Sequence, residues 1–260
     1  MTGYFSFATT DILFVAKNRL EFTKASLSAL VANTDWKFVD TLYLYDDGST
    51  DGTRQWLSKQ RHSGLLNNRR TQLVYSDLGA PAAIMKDYIA RRPRAQMFAK
   101  IDNDVIVPPW WLNACIEVFA EFPGIDLLGI EPPKSRTPRI AGGTQSLCPE
   151  LNPDLSTPYA LCDSIGGIGL MKRYVFDKYA DTLRPHSIYG GFTEWQLSQR
   201  DVTKAWIAPP LDVFLLDRMP TEPWASLSRE YIAKGWQRPW SNYDINDPFW
   251  SWWYTPGHML

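Results

Sequence analysis

Asp102 and Asp104, in the run MFAKIDNDVIVPPWWL from Met97 to Leu112, are the side chains of this sequence best placed to do chemistry. They flank one residue at the end of an apolar stretch, and a Pro-Pro step follows them. In an extended backbone, side chains two apart share a face, so the two carboxylates converge at a strand end while Asn103 points away. Carboxylates held that close repel each other unless a cation sits between them. Hard oxygen ligands with room left for water and phosphate suit Mg²⁺ or Mn²⁺. A polar turn capping a core strand accounts for an isolated Asp-x-Asp just as well, so the pair needs support from the rest of the chain.

The elements that position these residues alternate. Asp11 to Ala16 (DILFVA) reads as a buried strand, and Leu27, Leu30 and Val31 sit at helical spacing in a helix from about Leu20. Thr41 to Tyr45 is the next strand. It runs into Asp46-Asp47-Gly48-Ser49-Thr50-Asp51-Gly52-Thr53, where Asp51 suits the N-cap of a helix through Trp56 and Leu57. Gln72 to Ser76 is a third strand, followed by a helix through Ile84, Tyr88 and Ile89. Met97 to Ile101 is the fourth, and Leu112, Ile116 and Phe119 line one side of the helix after the Pro-Pro step. Leu127 to Glu131 is a further strand. This spacing predicts a mainly parallel α/β sheet covered on both faces. In such sheets ligands bind beyond the carboxyl ends of the strands, where both acidic motifs fall.

The second half is less regular. Pro132 to Pro158 is rich in Pro, Gly, Ser and Thr and reads as a long loop or lid. Ser164 to Met171 (SIGGIGLM) calls for close backbone approach at its glycines, with a helix from Lys172 to Tyr179 behind it. Tyr189 to Glu194 leads into a helix through Trp195, Leu197 and Val202. Ala205 to Leu216 is expected as the last core strand, with Pro209-Pro210 marking an edge or bend. Of the 12 tryptophans, Trp224, Trp236, Trp240, Trp250, Trp252 and Trp253 crowd the C-terminal tail.

The 260 residues, 45% hydrophobic and 21% charged, suffice for a full core in one large domain or one domain with an appended lobe. With 27 basic and 28 acidic residues, no electrostatic footprint for nucleic acid dominates. The basic clusters Asn68-Arg69-Arg70 and Arg91-Arg92-Pro93-Arg94 read as solvated loops. Cys115, Cys148 and Cys162 lack CxxC spacing, which argues against a disulfide framework or a zinc site and fits a reducing compartment. Met1 to Phe14 lacks the basic start and apolar stretch of a signal peptide. No run approaches the ~20 apolar residues that span a bilayer. The expectation is a soluble, cytoplasmic protein, with peripheral membrane contact left open.

As an ordered set, these motifs resemble the GT-A fold glycosyltransferases, in particular the large family 2-like group. The signature there is a strand ending in DDGSTDGT, then an Asp-x-Asp, then a glycine-rich segment, then an acidic residue opening a helix. This chain has Asp46 to Thr53 intact, then Asp102-Asn103-Asp104 followed by Val105-Ile106-Val107-Pro108-Pro109, then Ser164 to Arg173. The resemblance covers roughly residues 11 to 217 and implies a GT-A (Rossmann-like), mainly parallel sheet flanked by helices. It divides the chain into a glycosyltransferase domain over residues 1–222 and a Trp-rich extension over residues 223–260 that packs on the core.

The implied reaction is metal-dependent transfer of a sugar, of hexosyl type, from a UDP- or GDP-type donor to an acceptor hydroxyl, by direct displacement with inversion. Mn²⁺ or Mg²⁺ neutralises the leaving diphosphate as a Lewis acid. By resemblance Asp102 and Asp104 form the metal site, Asp104 ligating the ion directly and Asp102 contacting the ribose or a metal-bound water. Asn18, Arg19, Asp46, Asp47, Ser49, Asp102 and Gly167 surround the nucleotide sugar. Adjacent strand residues point oppositely, so one of Asp46 and Asp47 faces the nucleotide, and Asp47 is the expected one. Where relatives read G-E-D-x-D, this chain has Phe192-Thr193-Glu194-Trp195-Gln196, which leaves Glu194 as the general base and Asp163 as the fallback. The alternative for Glu194 is a helix-opening acid favoured by the helix dipole. Relatives carry a metal-ligating histidine where this chain has Leu215-Leu216-Asp217. Asp217 is the replacement oxygen ligand, with His258 the other candidate.

The acceptor is a glycan, a glycolipid or another hydroxyl compound, and near-zero net charge disfavours nucleic acid. The tail tryptophans serve as an acceptor platform or simply pack the tail. Two other classes compete. A sugar-nucleotide nucleotidyltransferase shares the architecture but carries a Gly-rich basic loop after the first strand, and Val15 to Phe22 has no glycine. A catalytically inert nucleotide-sugar or glycan-binding protein on the same fold fits the altered base motif and the missing histidine.

Overall fold

The run from Thr10 to Ala16 is buried on both faces almost throughout, as a central strand between two helical layers must be. The computed structural model describes residues 9–62, 65–66, 69–130, 158–184, 192–207, 211, 213–219 and 221–237. Its strands in chain order are β1 (Thr10–Ala16), β2 (Val39–Asp47), β3 (Thr71–Ser76), β4 (Met97–Asp102), β5 (Val105–Ile106), β6 (Leu127–Gly129), β7 (Tyr159–Leu161), β8 (Gly169–Lys172), β9 (Lys204–Ile207) and β10 (Phe214–Leu215). The helices are α1 (Leu20–Asn33), α2 (Thr53–His62), α3 (Pro81–Ala90), α4 (Trp111–Glu121), α5 (Arg173–Tyr179), α6 (Phe192–Ser198) and α7 (Trp224–Ala233).

An 8-stranded sheet has the order β3-β2-β1-β4-β8-β6-β9-β7. β3, β2, β1 and β4 pair in parallel, each crossover carrying one of α1, α2 and α3. β8 lies antiparallel between β4 and β6, and β7 antiparallel on β9. The mainly parallel α/β architecture expected from the alternation is present.

The chain forms two compact units, Met1–Phe214 and Leu215–Leu260. In the second, α7 follows a short 3-10 turn at Leu216–Arg218, and the rings of Tyr231 and Trp236 lie 5.9 Å apart. Trp240, Trp250, Trp252 and Trp253 lie outside the described residues, as do residues 132–157 of the segment expected as a loop or lid from Pro132 to Pro158.

One face of the first unit is built on a line of rings. Tyr43 meets Tyr88 edge-on at 5.3 Å, Tyr88 meets Phe98 at 5.0 Å, Phe98 meets Phe176 at 4.8 Å and Phe176 stacks on Trp195 at 5.0 Å. Tilted and edge contacts of this kind are the favoured aromatic arrangements. They tie α5 and α6 to the sheet. α6 stops at Ser198, short of the expected Val202, because the Ser198 hydroxyl donates back to the Trp195 carbonyl at 2.7 Å. Val202 is buried nonetheless, in the turn before β9. The single strand expected over residues 205–216 is two short ones, β9 and β10. On α4 the buried positions are Trp111, Leu112, Cys115, Val118 and Phe119, with Ile116 only half-buried.

At the opposite edge from the acidic motifs, Asp11 is 1% exposed. It accepts hydrogen bonds from the Tyr88 hydroxyl at 2.8 Å and the Thr41 N–H at 3.1 Å. Burial pushes its pKa up from 3.8 to about 6, against the pull of those bonds. The folded state therefore binds this proton more tightly than the unfolded chain. That stabilisation is complete below about pH 4 and is lost as pH rises through about 6. Denaturant titrations should show the wild type losing on the order of 2 kcal/mol relative to Asp11→Asn between pH 4 and pH 7. Parallel curves for the two proteins would refute the assignment.

Candidate active site

Parallel pairing brings the two acidic motifs to neighbouring strand ends. Ala16 of β1 pairs with Asp46 of β2, and Val15 pairs with Asp102 of β4. The end of β1 thus lies between the motifs, with roughly 5 Å to each neighbouring strand. There the chain does something unusual. Asn18 and Arg19 both take left-handed backbone, with φ of 53° and 62°. Two such non-glycine residues in a row are strained and persist only where their surroundings hold them.

The surroundings are the DDGSTDGT loop. The Asn18 N–H donates to Ser49 Oγ at 2.8 Å, and Asn18 Oδ1 accepts from the Thr50 N–H at 2.7 Å. Asp51 accepts from the Leu20 N–H at 2.9 Å and the Thr53 N–H at 3.1 Å, so one carboxylate caps α1 and α2 together. Gly48 needs its φ of 78°, and a Cβ there would meet Asp77 Oδ1 at 2.9 Å. The motif is therefore a rigid frame around the end of β1.

Every carboxylate at this edge of β2 and β4 has a cation of its own. Arg54 Nε reaches Asp46 Oδ2 at 2.6 Å, and that hydrogen bond raises the guanidinium pKa above its ordinary value. Lys17 lies 3.6 Å from Asp47, whose oxygens also accept from the Leu78 and Gly79 N–H groups and the Ser76 hydroxyl. Arg19 Nη1 meets Asp104 Oδ2 at 2.8 Å, and Lys100 Nζ meets Asp102 Oδ1. Asp46 and Asp47 do point oppositely, toward α2 and toward the turn after β3 respectively. Asp46 Oδ1 is buried with no hydrogen-bond partner among the described residues.

Asp102 and Asp104 do not share one extended face as expected. β4 ends at Asp102, and the chain turns through Asn103 and Asp104. Asn103 points inward, 2% exposed, donating to the Asn18 carbonyl and the Thr23 hydroxyl, both at 2.8 Å. Its Oδ1 accepts from Arg19 Nη2 at 2.6 Å, so Asn103 and Asp104 grip one guanidinium.

A glycine turn completes the site. Lys100, 1% exposed, also donates to the Gly167 carbonyl at 3.1 Å. Gln196 of α6, fully buried, accepts from the Ile165 N–H at 2.8 Å and donates to the Gly166 carbonyl at 2.7 Å. Lys100, Asn103, Arg54 and Gln196 are the residues the motif reading passed over. Lys100 carried a signal: it sits two before Asp102 on the same strand and so on the same face.

Glu194 is the third residue of α6, and its side chain lies outside the described set. Asp163 is exposed just ahead of the glycine turn. Asp217 belongs to the second unit, where its carbonyl accepts from the Ser228 hydroxyl at 3.1 Å. His258 lies outside the described residues.

Among the described residues no three His, Cys, Asp or Glu side chains gather as a metal cluster. Mg²⁺ and Mn²⁺ do not need one, since one or two carboxylates plus phosphate oxygens and water suffice. Asp102 and Asp104 each use one oxygen in their ion pair, so the donor set fits such an ion delivered with a phosphate ligand.

No curated protein matches the chain. Solved structures do share its fold. S. aureus TarS 1-349 aligns with a TM-score of 0.51 at 14% identity, over 76% of this chain and 60% of that one. The mannosyltransferase PcManGT from Pyrobaculum calidifontis, solved with GDP-Man and Mn²⁺, aligns at 0.54 and 15% identity, over 77% and 54%. GalNAc-T7, solved with UDP, GalNAc and Mn²⁺, aligns at 0.56 and 13% identity, over 78% and 43%. The chain thus spans about half the length of these structures, and at such identities they speak to the fold. These are glycosyltransferases of the GT-A fold, whose architecture this chain shares. Among the described residues no helix is long and apolar enough to cross a membrane. Residues 11–180, more than half of the chain and including both acidic strand ends and the glycine turn, match the sequence profile of Glycosyl transferase family 2, and the chain belongs to that family.

Proposed function

We propose that this chain is a metal-dependent glycosyltransferase that moves a sugar, of hexosyl type, from a UDP- or GDP-type donor to an acceptor hydroxyl with inversion. The observation that carries the proposal is the pair of acidic strand ends flanking the strained Asn18-Arg19 step, in a chain of this family. The Mn²⁺ and nucleotide ligands of PcManGT and GalNAc-T7 support the choice of donor and metal.

In this mechanism Asp104 would hold Mn²⁺ or Mg²⁺ and Asp102 the donor, and Asp217 would supply a further oxygen ligand. The bound cation supplies Lewis-acid neutralisation of the departing diphosphate. Asp47 accepts hydrogen bonds from the base or ribose, and Lys17 gives way to it. The Asn18, Ser49 and Asp46 frame keeps that pocket in shape, with Arg19 and Gly167 beside the diphosphate and sugar. Glu194 takes the proton of the acceptor hydroxyl, or Asp163 in its place. The acceptor oxygen forms its bond to the anomeric carbon as the bond to the diphosphate breaks, and the leaving group departs with that electron pair. The acceptor is a glycan, a glycolipid or another hydroxyl compound.

A thermal-shift screen of UDP- and GDP-sugars with Mn²⁺ tests this. A donor at a hundredfold excess over its Kd stabilises by about 2.7 kcal/mol, which raises the Tm of a protein this size by about 5–10 °C. The hit should also be turned over to free nucleoside diphosphate, and chelation should abolish both effects. No shift with any nucleotide sugar would sink the proposal. A shift without turnover to any acceptor or water would mark an inert binding protein instead.

A further inference from the structure

We infer that Lys100 is a resident cation that holds Asp102 on the glycine turn and keeps it out of the metal's coordination sphere, an inference that rests on the metal-dependent reading above. The two Asp-x-Asp carboxylates carry cations of different kinds. Arg19 is partly exposed and reaches Asp104 along a long flexible stem. Lys100 is 1% exposed on β4 itself, its ammonium shared between Asp102 Oδ1 and the Gly167 carbonyl.

That carbonyl cannot drift away. Gln196 pins the turn on both sides of Gly166, by the bonds to Ile165 and Gly166, and Gly169 is locked between Lys100 of β4 and Gly129 of β6. Moving Lys100 off Asp102 would leave its ammonium, 1% exposed, buried without a counterion, which buried charges do not tolerate. Arg19, with 15% of its side chain exposed, is the cation nearer solvent; Lys100, 1% exposed, has nowhere to go. An incoming divalent ion therefore displaces Arg19 from Asp104 and leaves the Lys100–Asp102 pair intact. Asp102 keeps its second oxygen for the donor. Lys100 and Gln196 are positioning residues, acting through Asp102 and the turn.

Mn²⁺ titrations of the full chain followed by electron paramagnetic resonance, with and without saturating UDP or GDP, test this apart from turnover. Lys100→Met and Lys100→Gln should both bind Mn²⁺ about tenfold more tightly without nucleotide, because a carboxylate freed of its cation becomes a ligand. Adding Asp102→Asn to either should return the affinity to that of the wild type. In the wild-type background Asp102→Asn should leave Mn²⁺ affinity without nucleotide unchanged, whereas Asp104→Asn should abolish it. This arm keeps the buried lysine and does not depend on how the Lys100 variants fold. The inference is overturned if Asp102→Asn alone weakens Mn²⁺ binding without nucleotide, or if neither folded Lys100 variant binds it more tightly. If the wild type binds neither UDP nor GDP with Mn²⁺, the functional proposal itself fails, and that result is separate from the variant comparison.

Discussion

Asp104→Asn should lower Mn²⁺-dependent sugar transfer by about a hundred- to a thousandfold, the cost of losing one preorganised electrostatic contact to a transition state that develops charge. The substitution keeps size and shape while removing the charge that would hold the metal. It also removes the partner of Arg19, which retains the Asn103 Oδ1 contact at 2.6 Å. The fold should survive with a lowered Tm, since the two side chains are only 15% and 13% exposed and losing a hydrogen bond to a charged group costs about 1.5–3 kcal/mol. Steady-state rates at saturating donor and metal read the effect, and kcat should fall much more than donor binding. A variant that kept more than about a tenth of wild-type turnover would remove Asp104 from the metal site.

Gly169→Ala should be the most damaging change to the fold, and through it to the site. Gly169 pairs with Lys100 on β4 and with Gly129 on β6. A Cβ at Gly169 would stand 2.3 Å from the Leu128 carbonyl oxygen and 3.1 Å from Gly129 Cα, both backbone atoms of a paired strand. Neither can yield without parting the sheet. Gly129 itself is pressed against the Trp206 ring, where a Cβ would lie 2.7 Å from Cε3, so the strand cannot retreat that way. Overpacking of this kind costs about 3 kcal/mol or more, a large part of the stability of a typical domain. Denaturant unfolding should show that loss, and the residual folded protein should bind Mn²⁺ with nucleotide more weakly because the turn under Lys100 has moved. A midpoint within about 0.5 kcal/mol of the wild type would mean that β6 and β8 are not packed this closely.

Much of the fold was legible in the sequence because the signals involved are local. Apolar runs of strand length alternate with helical spacing from Asp11 to Gly129, and β1 to β4 with α1 to α4 follow that pattern within a few residues. Parallel pairing then puts DDGSTDGT and Asp102 at strand ends without further information. The weaker expectations came where local signals were thin. α6 stops early because one serine turns back on its own backbone, and the last expected strand is seen as two short strands, Lys204–Ile207 and Phe214–Leu215.

The sequence alone determined which chemical groups stand at the carboxyl edge, and in what order the motifs follow one another. The tertiary structure alone decided which cation meets which carboxylate. The period-two rule aligns Lys100 with Asp102 but fails at Asp104, because β4 ends and the chain turns. Arg19 reaches Asp104 across 85 positions of sequence, over the end of β1, from a left-handed backbone that no propensity favours. Gln196 reaches the glycine turn from 31 residues away because stacked rings fix α6 on the sheet. These contacts depend on the strand order β2-β1-β4-β8 and on β8 running antiparallel to β4. Strand order is a long-range outcome of burying several apolar faces at once, so the pairing of charges at the site is written in the packing and not in any local pattern.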